Sequence, residues 1–345
     1  MMYTANALKK LLSSIDQKEF KYQKKEKQRI DWTAYDCAQI HEISDMLKII
    51  RDTVNYVCEE LDIDSRPKSR GRPPTHPGDV AKALLMQQYF GIANRVAEGL
   101  VYLFKEKLGI SEFSYKTIER GYSREDVKTI VHRANELTQV PIFDEEHNFS
   151  IDGTGLSTSI KQNYETEKKK RNMHAFEQVI LTVGTQYKMI ASAIVTDNPY
   201  AAEGPYLESS VENVLHLYSS VDMMTGDAAF LSRKNTSEIT DAGAIPRLYP
   251  KINVTLRAKG HPSWKHMLYQ LLKDPQTWLR QYHQRSISES VNSAFQRMFS
   301  KKLTRKGSSR RKTEILVRVC DFNIKRFCYL KYLRPHLFRA RNPLD

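Results

Sequence analysis

Residues 147–157 read HNFSIDGTGLS, and the periodicity of the chain changes around them. Phe149 and Ile151 alternate with polar neighbours, and the run closes on Gly153 and Gly155. That pattern predicts a short strand ending in a Gly-rich turn, with Asp152 at the strand's carboxyl end. Upstream of Pro141 the apolar residues recur at helical spacing. Downstream they fall into short β-rich runs separated by turn residues.

Two such runs follow directly. AFEQVILTVG (175–184) and KMIASAIVTD (188–197) are joined by TQY, a hairpin signal. GPYLESSVENVLHLYSS (204–220) has helical spacing, and VDMMTGDAAF (221–230) reads as a strand that reaches Asp227. LSRKNTSEITDAG (231–243) is then a helix and AIPRLYP (244–250) a short strand. Strands followed by alternating helices and strands predict an α/β sheet with helices on its faces.

Upstream, KEFKYQKKEKQR (18–29) is basic and poor in apolar anchors, and reads as an arm. A helix is predicted over 38–61, with Ile40, Ile43, Met46, Leu47, Ile50 and Val54 on its apolar stripe. RPKSRGRPPTHPGD (66–79) is a linker. Within it, Arg70-Gly71-Arg72-Pro73 resembles the core of an AT-hook, in which an extended Arg-Gly-Arg lies in a narrow A·T minor groove. A plain linker accounts for the same residues. Two amphipathic segments, 80–104 and 124–137, flank FSYKTIERGY (113–122). That decapeptide suits either the opening of a helix-turn-helix recognition helix or an ordinary three-helix unit.

The 345 residues carry a net charge of +14. An excess this large suggests a polyanionic partner, nucleic acid or an anionic membrane surface. No apolar run is long enough to cross a bilayer, and the first twenty residues lack the apolar core of a secretion signal, so the membrane is the weaker partner. Cys37, Cys58, Cys320 and Cys328 form no C-x-x-C pair and have no His cluster beside them, which argues against zinc or a disulfide framework. Cys320 and Cys328 are expected to be buried thiols in a reducing cytoplasm.

In open α/β sheets, functional groups gather at the carboxyl ends of strands. If the strands reaching Asp152 and Asp227 are neighbours, their carboxylates lie side by side and resist ionising together. A divalent cation relieves that conflict. Oxygen ligands without Cys or His point to Mg²⁺ or Mn²⁺. A third carboxylate comes from YHQRSISESVNSAFQ (282–296). On a helix at about 100° per residue, Arg285, Glu289, Asn292 and Gln296 fall within roughly 60° of one another. Ile287, Val291, Ala294, Phe295 and Met298 span about 100° on the far side. Glu289 therefore points outward beside Arg285. The plainer reading is a solvated Arg–Glu pair on a surface helix. With Asp152 and Asp227, Glu289 completes a set that can hold two hard ions for phosphoryl transfer, one activating the attacking group and one stabilising the leaving oxygen.

Asp152, Asp227 and Glu289, in this order across these elements, resemble the DDE triad of bacterial and archaeal insertion-sequence transposases. The stretch from Tyr282 is similar to the signature Tyr-x2-Arg-x3-Glu-x6-Lys of one large group of them. Tyr282, Arg285 and Glu289 match it in identity and spacing; the final Lys position holds Gln296, followed by Arg297. The resemblance covers about residues 150–300. It implies an RNase H-like mixed sheet flanked by helices, preceded by an all-α region. It also implies catalytic and metal-binding roles for the triad with Mg²⁺ or Mn²⁺, two ions in all, and DNA contacts from Tyr282 and Arg285. The activity implied is cleavage of the element's ends in double-stranded DNA and their joining to target DNA, by a homodimer on DNA in the cytoplasm, associated with the nucleoid. The division that follows is a basic arm and helix (1–65), a linker (66–79), a helical DNA-binding region (80–145), a catalytic domain (146–335) and a tail (336–345).

KKLTRKGSSRRK (301–312) contains Lys301, Lys302, Arg305, Lys306, Arg310, Arg311 and Lys312 and no acid, as a phosphate-binding segment would, or a solvated loop. Lys168–Arg171, KKKR, is a further candidate DNA contact, although Glu165 and Glu167 precede it. RVCDFNIKRFCYLKYL (318–333) is predicted to be a helix packed on the sheet. Trp264 and Trp278 are expected to be buried. An aspartyl phosphotransferase would need Asp where Ser150 stands, and a sugar kinase would need a second Gly-rich loop near 225, where TGDAAF has one Gly. A transposase-derived DNA-binding protein without catalysis remains the alternative from another class.

Overall fold

The computed structural model describes residues 4–21, 29–63, 74–158 and 176–338. Arg70, Arg72, residues 168–171, most of the basic arm and the tail beyond 338 lie outside the described residues. In chain order the elements are α1 (Ala5–Asp16), α2 (Trp32–Glu60), α3 (Pro77–Phe90), α4 (Asn94–Leu108), α5 (Tyr115–Gly121), α6 (Glu125–Leu137), β1 (Asn148–Ser157), β2 (Phe176–Gly184), β3 (Ile190–Val195), α7 (Leu207–Leu217), β4 (Met223–Gly226), α8 (Arg233–Asp241), β5 (Ile245–Leu248), α9 (Pro262–Lys273), α10 (Pro275–Tyr282), α11 (Ser286–Phe299) and α12 (Ser308–Leu333). They form two compact units: residues 1–29, 143–155 and 177–294 in one, and residues 30–142, 156–176 and 295–345 in the other. Among the described residues no helix is long and apolar enough to cross a membrane.

The first unit is built on a mixed sheet whose five described strands run in the order β3-β2-β1-β4-β5. β1, β4 and β5 are parallel, and β2 and β3 form the predicted antiparallel hairpin. All four residues of β4 are buried, as a parallel strand covered on both faces requires. Phe149, Ile151, Ile180, Leu181, Met224 and Leu248 fill the core, and helices flank the sheet, α7 against β3 and α8 and α10 against β5. Glu146, fully buried, fixes the hairpin turn: its carboxylate accepts the backbone N–H groups of Gln186 at 2.9 Å and Tyr187 at 2.8 Å. Burial pushes its carboxyl up to about 7, against those donors.

The strand from Asn148 does not turn at its glycines. β1 continues to Ser157, whose N–H donates to the Lys301 carbonyl while its own carbonyl accepts from Leu303, each at 2.8 Å. Gly153 serves a close approach instead. A Cβ at Gly153 would collide with the carboxylate of Glu203.

The second unit is helical. The predicted helix over 80–104 is broken at Gly91, which takes the left-handed conformation at φ 64° and ends α3. α2 begins at Trp32, capped by Asp31, and Met46, Leu47, Ile50 and Val54 are buried as predicted. Ile40 and Ile43, from the same predicted stripe, are exposed. The last helix, predicted to lie on the sheet, packs in this unit against α2, α3 and α6. Its buried polar groups explain that choice: Arg318 bonds Gln88 of α3 and Glu314, and Asn323 bonds Asn135 of α6.

Candidate active site

β1 and β4 are neighbours, with Ser150 opposite Thr225. Asp152 and Asp227 each lie two residues further on, at the same level of two parallel strands about 4.8 Å apart. Asp227 leaves the strand in a tight turn and accepts the Ala229 N–H at 2.7 Å. It does not cap the following helix. That helix starts at Arg233, and the Ser232 hydroxyl caps it by accepting from Asn235 at 2.9 Å.

The predicted single helix from Tyr282 is two helices. α10 ends at Tyr282, residues 283–285 make a 3-10 turn, and α11 begins at Ser286. Serine hydroxyls stabilise the break: Ser286 donates to the His283 carbonyl at 2.9 Å and Ser288 to that of Arg285 at 2.7 Å. Ser150 of β1 also donates to the Ser288 hydroxyl, at 3.0 Å in the buried interior. This bond draws the first turns of α11 onto the strand that bears Asp152.

Glu289 points outward from α11, as predicted, and its carboxylate takes the Arg285 guanidinium at 2.5 Å. One turn later Asn292 donates its amide to Asp152 Oδ2 at 2.7 Å. The Asn292 side chain is 7% exposed, and its Oδ1 is buried without a hydrogen-bond partner. Burial raises the Asp152 carboxyl to about 6; Arg285 opposes the rise, and Asp227, Glu203 and Glu289 add to it. These five side chains therefore share one electrostatic field. Arg285 has its own pKa raised: burial works against its charge, and Tyr282, Glu289 and Asp152 outweigh it.

Glu203 was not singled out from the sequence. It precedes α7, is half-buried, and receives the Gln178 amide at 3.3 Å. Burial raises its pKa, and Asp227 raises it further. Its sequence signal was slight, an acid before Gly204-Pro205 at the start of a helical pattern, because the contact with Gly153 spans fifty residues.

Among the described residues no three His, Cys, Asp or Glu side chains stand close enough to share one ion. The carboxylate of Glu289 is engaged by Arg285, and one oxygen of Asp227 by its own turn. The donor set nevertheless fits a hard divalent cation in its chemistry. It offers carboxylate oxygens whose mutual repulsion Arg285 offsets only in part, beside a buried amide oxygen lacking a partner.

The remaining candidates are placed as follows. Tyr282 is buried, stacked on Trp278 at 5.4 Å and against Tyr249 at 5.1 Å; burial raises its pKa and the neighbouring Arg285 opposes the rise. Gln296 is half-buried and Arg297 exposed, near the end of α11. In the segment 301–312, Lys301 and Lys306 are exposed and Lys302 is half-buried, followed by Arg311 at the start of α12. Arg305 bonds Asn94 at 2.5 Å and lies 4.3 Å over the Tyr122 ring. Arg310 donates to Ser123 at 2.8 Å. Glu314 accepts the backbone N–H groups of Thr304 and Arg305, so this loop is anchored within its unit. Trp264 and Trp278 are buried, as the packing reading expected, and Cys58, Cys320 and Cys328 are buried thiols outside any disulfide.

No protein-family model matches the sequence. The chain is similar to the probable transposase for insertion sequence element ISA1214 of Archaeoglobus fulgidus. The two are 26% identical over 314 residues, which is 89% of this chain and 92% of that protein.

Proposed function

We propose that this protein is a DDE-type DNA transposase that cleaves the ends of an insertion element and joins them to target DNA. The observation that carries the reading is that Asp152 lies in β1 and Asp227 directly follows the neighbouring parallel strand β4, while α11, which bears Glu289, is tied to β1 by the Ser150–Ser288 and Asn292–Asp152 bonds. The strand order, with an antiparallel hairpin beside three parallel strands, suits the RNase H-like sheet that the resemblance implies. Similarity to an archaeal probable transposase over nearly the whole length of both chains supports the same reading.

Asp152, Asp227 and Glu289 would hold the Mg²⁺ or Mn²⁺ ions, which supply activation of the attacking oxygen and neutralisation of the developing charge. The chain's own residues do the positioning. Asn292 fixes the Asp152 carboxylate by one oxygen and leaves Oδ1 free of that bond. Tyr282, packed between Trp278 and Tyr249, would stand beside the Arg285 guanidinium, which Glu289 holds. Arg285 carries both a carboxylate partner and the geometry to grip a phosphate in two-point fashion, so substrate would exchange for Glu289 on it. Pairing two element ends calls for two copies of the chain on double-stranded DNA.

One observation favours a second reading, a transposase-derived DNA-binding protein without catalysis: among the described residues no three acids converge. One assay separates the two. DNA flanking the coding region is incubated with Mg²⁺ and either the wild-type protein or Asp227→Asn. The transposase reading expects cutting at the element's ends by the wild type alone, with binding retained by both. Binding without cutting by the wild type would leave the second reading.

A further inference from the structure

We propose that the loop from Tyr249 to His261 is a contact surface for the DNA backbone beside the active site; this rests on the DNA-processing reading above. Between Asp241 and Asp274 the sequence contains six Lys or Arg and no Asp or Glu. Arg247 is buried in β5, hydrogen-bonded to Gln281 and Gln270, and Lys265 lies over the Tyr269 ring. Lys251, Arg257 and Lys259 are exposed on the loop, and no ion pair joins them to an acid among the described residues.

The sheet puts this loop next to the carboxylates. β4 and β5 are parallel, with Gly226 opposite Leu248, so Tyr249 stands level with Asp227. The Tyr249 N–H donates to the Gly226 carbonyl at 3.3 Å, and its ring packs on Tyr282 at 5.1 Å. Lys251 is two residues on, a reach of about 7 Å at most along an extended chain.

The loop is also held in shape. Arg233 donates to the Arg257 carbonyl at 3.2 Å and to the Thr255 hydroxyl at 3.3 Å, and its guanidinium lies 4.6 Å over the Trp264 ring. The Trp264 indole N–H donates to the Thr255 carbonyl at 2.7 Å. This clamp uses backbone carbonyls and leaves the Arg257 side chain free of it. A solvated loop needs neither one sign of charge nor a clamp, and ordinary surfaces intersperse both signs. Three exposed cations on a shaped loop that leaves β5 beside Asp227, paired with no acid among the described residues, suit a chain of phosphates that passes the site.

The test is the salt dependence of DNA binding by the full-length protein, wild type against Lys251→Ala/Arg257→Ala/Lys259→Ala, on a duplex carrying the element's end. Each lost phosphate contact lowers the log–log slope by about 0.9, so the triple variant is expected to lose about 2 to 3 in slope and about tenfold or more in affinity at low salt. An unchanged slope with unchanged melting temperature would overturn the assignment while leaving the transposase reading intact. Absence of salt-dependent DNA binding by the wild type would overturn both. If the triple variant does not fold, Lys251→Gln and Lys259→Gln are each expected to lower the slope by about 1, and an unchanged slope in both overturns the assignment equally.

Discussion

Asp152→Asn should make the protein more stable while abolishing cleavage. The Asp152 carboxyl titrates at about 6 in place of 3.8, mainly because it is buried and because Asp227, Glu203 and Glu289 surround it. Two pKa units correspond to about 3 kcal/mol at 1.36 kcal/mol each. Asp152 is only half-buried, so solvent screening reduces this to about 1–2 kcal/mol. The folded-state pKa is raised, so the associated stability is present below pH about 4 and is lost as pH rises through about 6. Asn at 152 keeps an acceptor for the Asn292 amide and carries no charge at any pH. In chelator, the variant should melt about 2–8 °C above wild type at pH 8, at about 2–4 °C per kcal/mol, and level with it at pH 4. Thermal melts followed by circular dichroism at several pH values give the comparison. A variant less stable than wild type at pH 8, or a difference that does not change with pH, would refute the crowding of carboxylates on which the site is built.

Further outcomes follow from single contacts. Glu146 titrates at about 7 under burial, so wild-type stability should fall as pH rises from about 5 to 8; Glu146→Gln should flatten that part of the melting profile, and an unchanged profile would remove the assignment. Arg285→Ala frees Glu289 from its ion pair, so Mn²⁺ affinity measured by calorimetry should hold or tighten while DNA cleavage falls. Weaker Mn²⁺ binding would show that Arg285 helps to build the ion site, and not that it competes for Glu289. Arg305→Ala should cost about 1–2 kcal/mol in urea unfolding, through the lost Asn94 bond and Tyr122 stacking, with little change in the DNA-binding salt slope. Lys301→Ala/Lys306→Ala should do the reverse; a salt slope that drops for Arg305→Ala alone would reassign the segment's roles.

What the sequence reveals about this molecule depends on how local each signal is. The hairpin of β2 and β3 and the helices around β4 and β5 were legible because apolar alternation and helical spacing are written within ten residues. The neighbouring placement of β1 and β4 was a condition of the two-acid reading, not a signal in the residues, and the strands meet it in parallel register. The glycines after Asp152 misled, since Gly-rich usually means a turn, and here the side chain missing at Gly153 makes room for Glu203 from a distant loop. The break at 283–285 was hidden because the apolar pattern runs through it, while the serines that stabilise it look like ordinary polar positions. The basic segment 301–312 reads as uniform charge, yet Arg305 and Arg310 are bound to Asn94 and Ser123, partners some two hundred residues away.

Mn²⁺ binding to the full-length protein, measured by titration calorimetry for the wild type and for Asp152→Asn, Asp227→Asn and Glu289→Gln, bears most directly on whether three acids from β1, β4 and α11 act as one centre. The account predicts binding by the wild type and at least tenfold weaker binding by each variant, about 1.4 kcal/mol or more apiece. Wild-type affinity retained by any one of the three would contradict it.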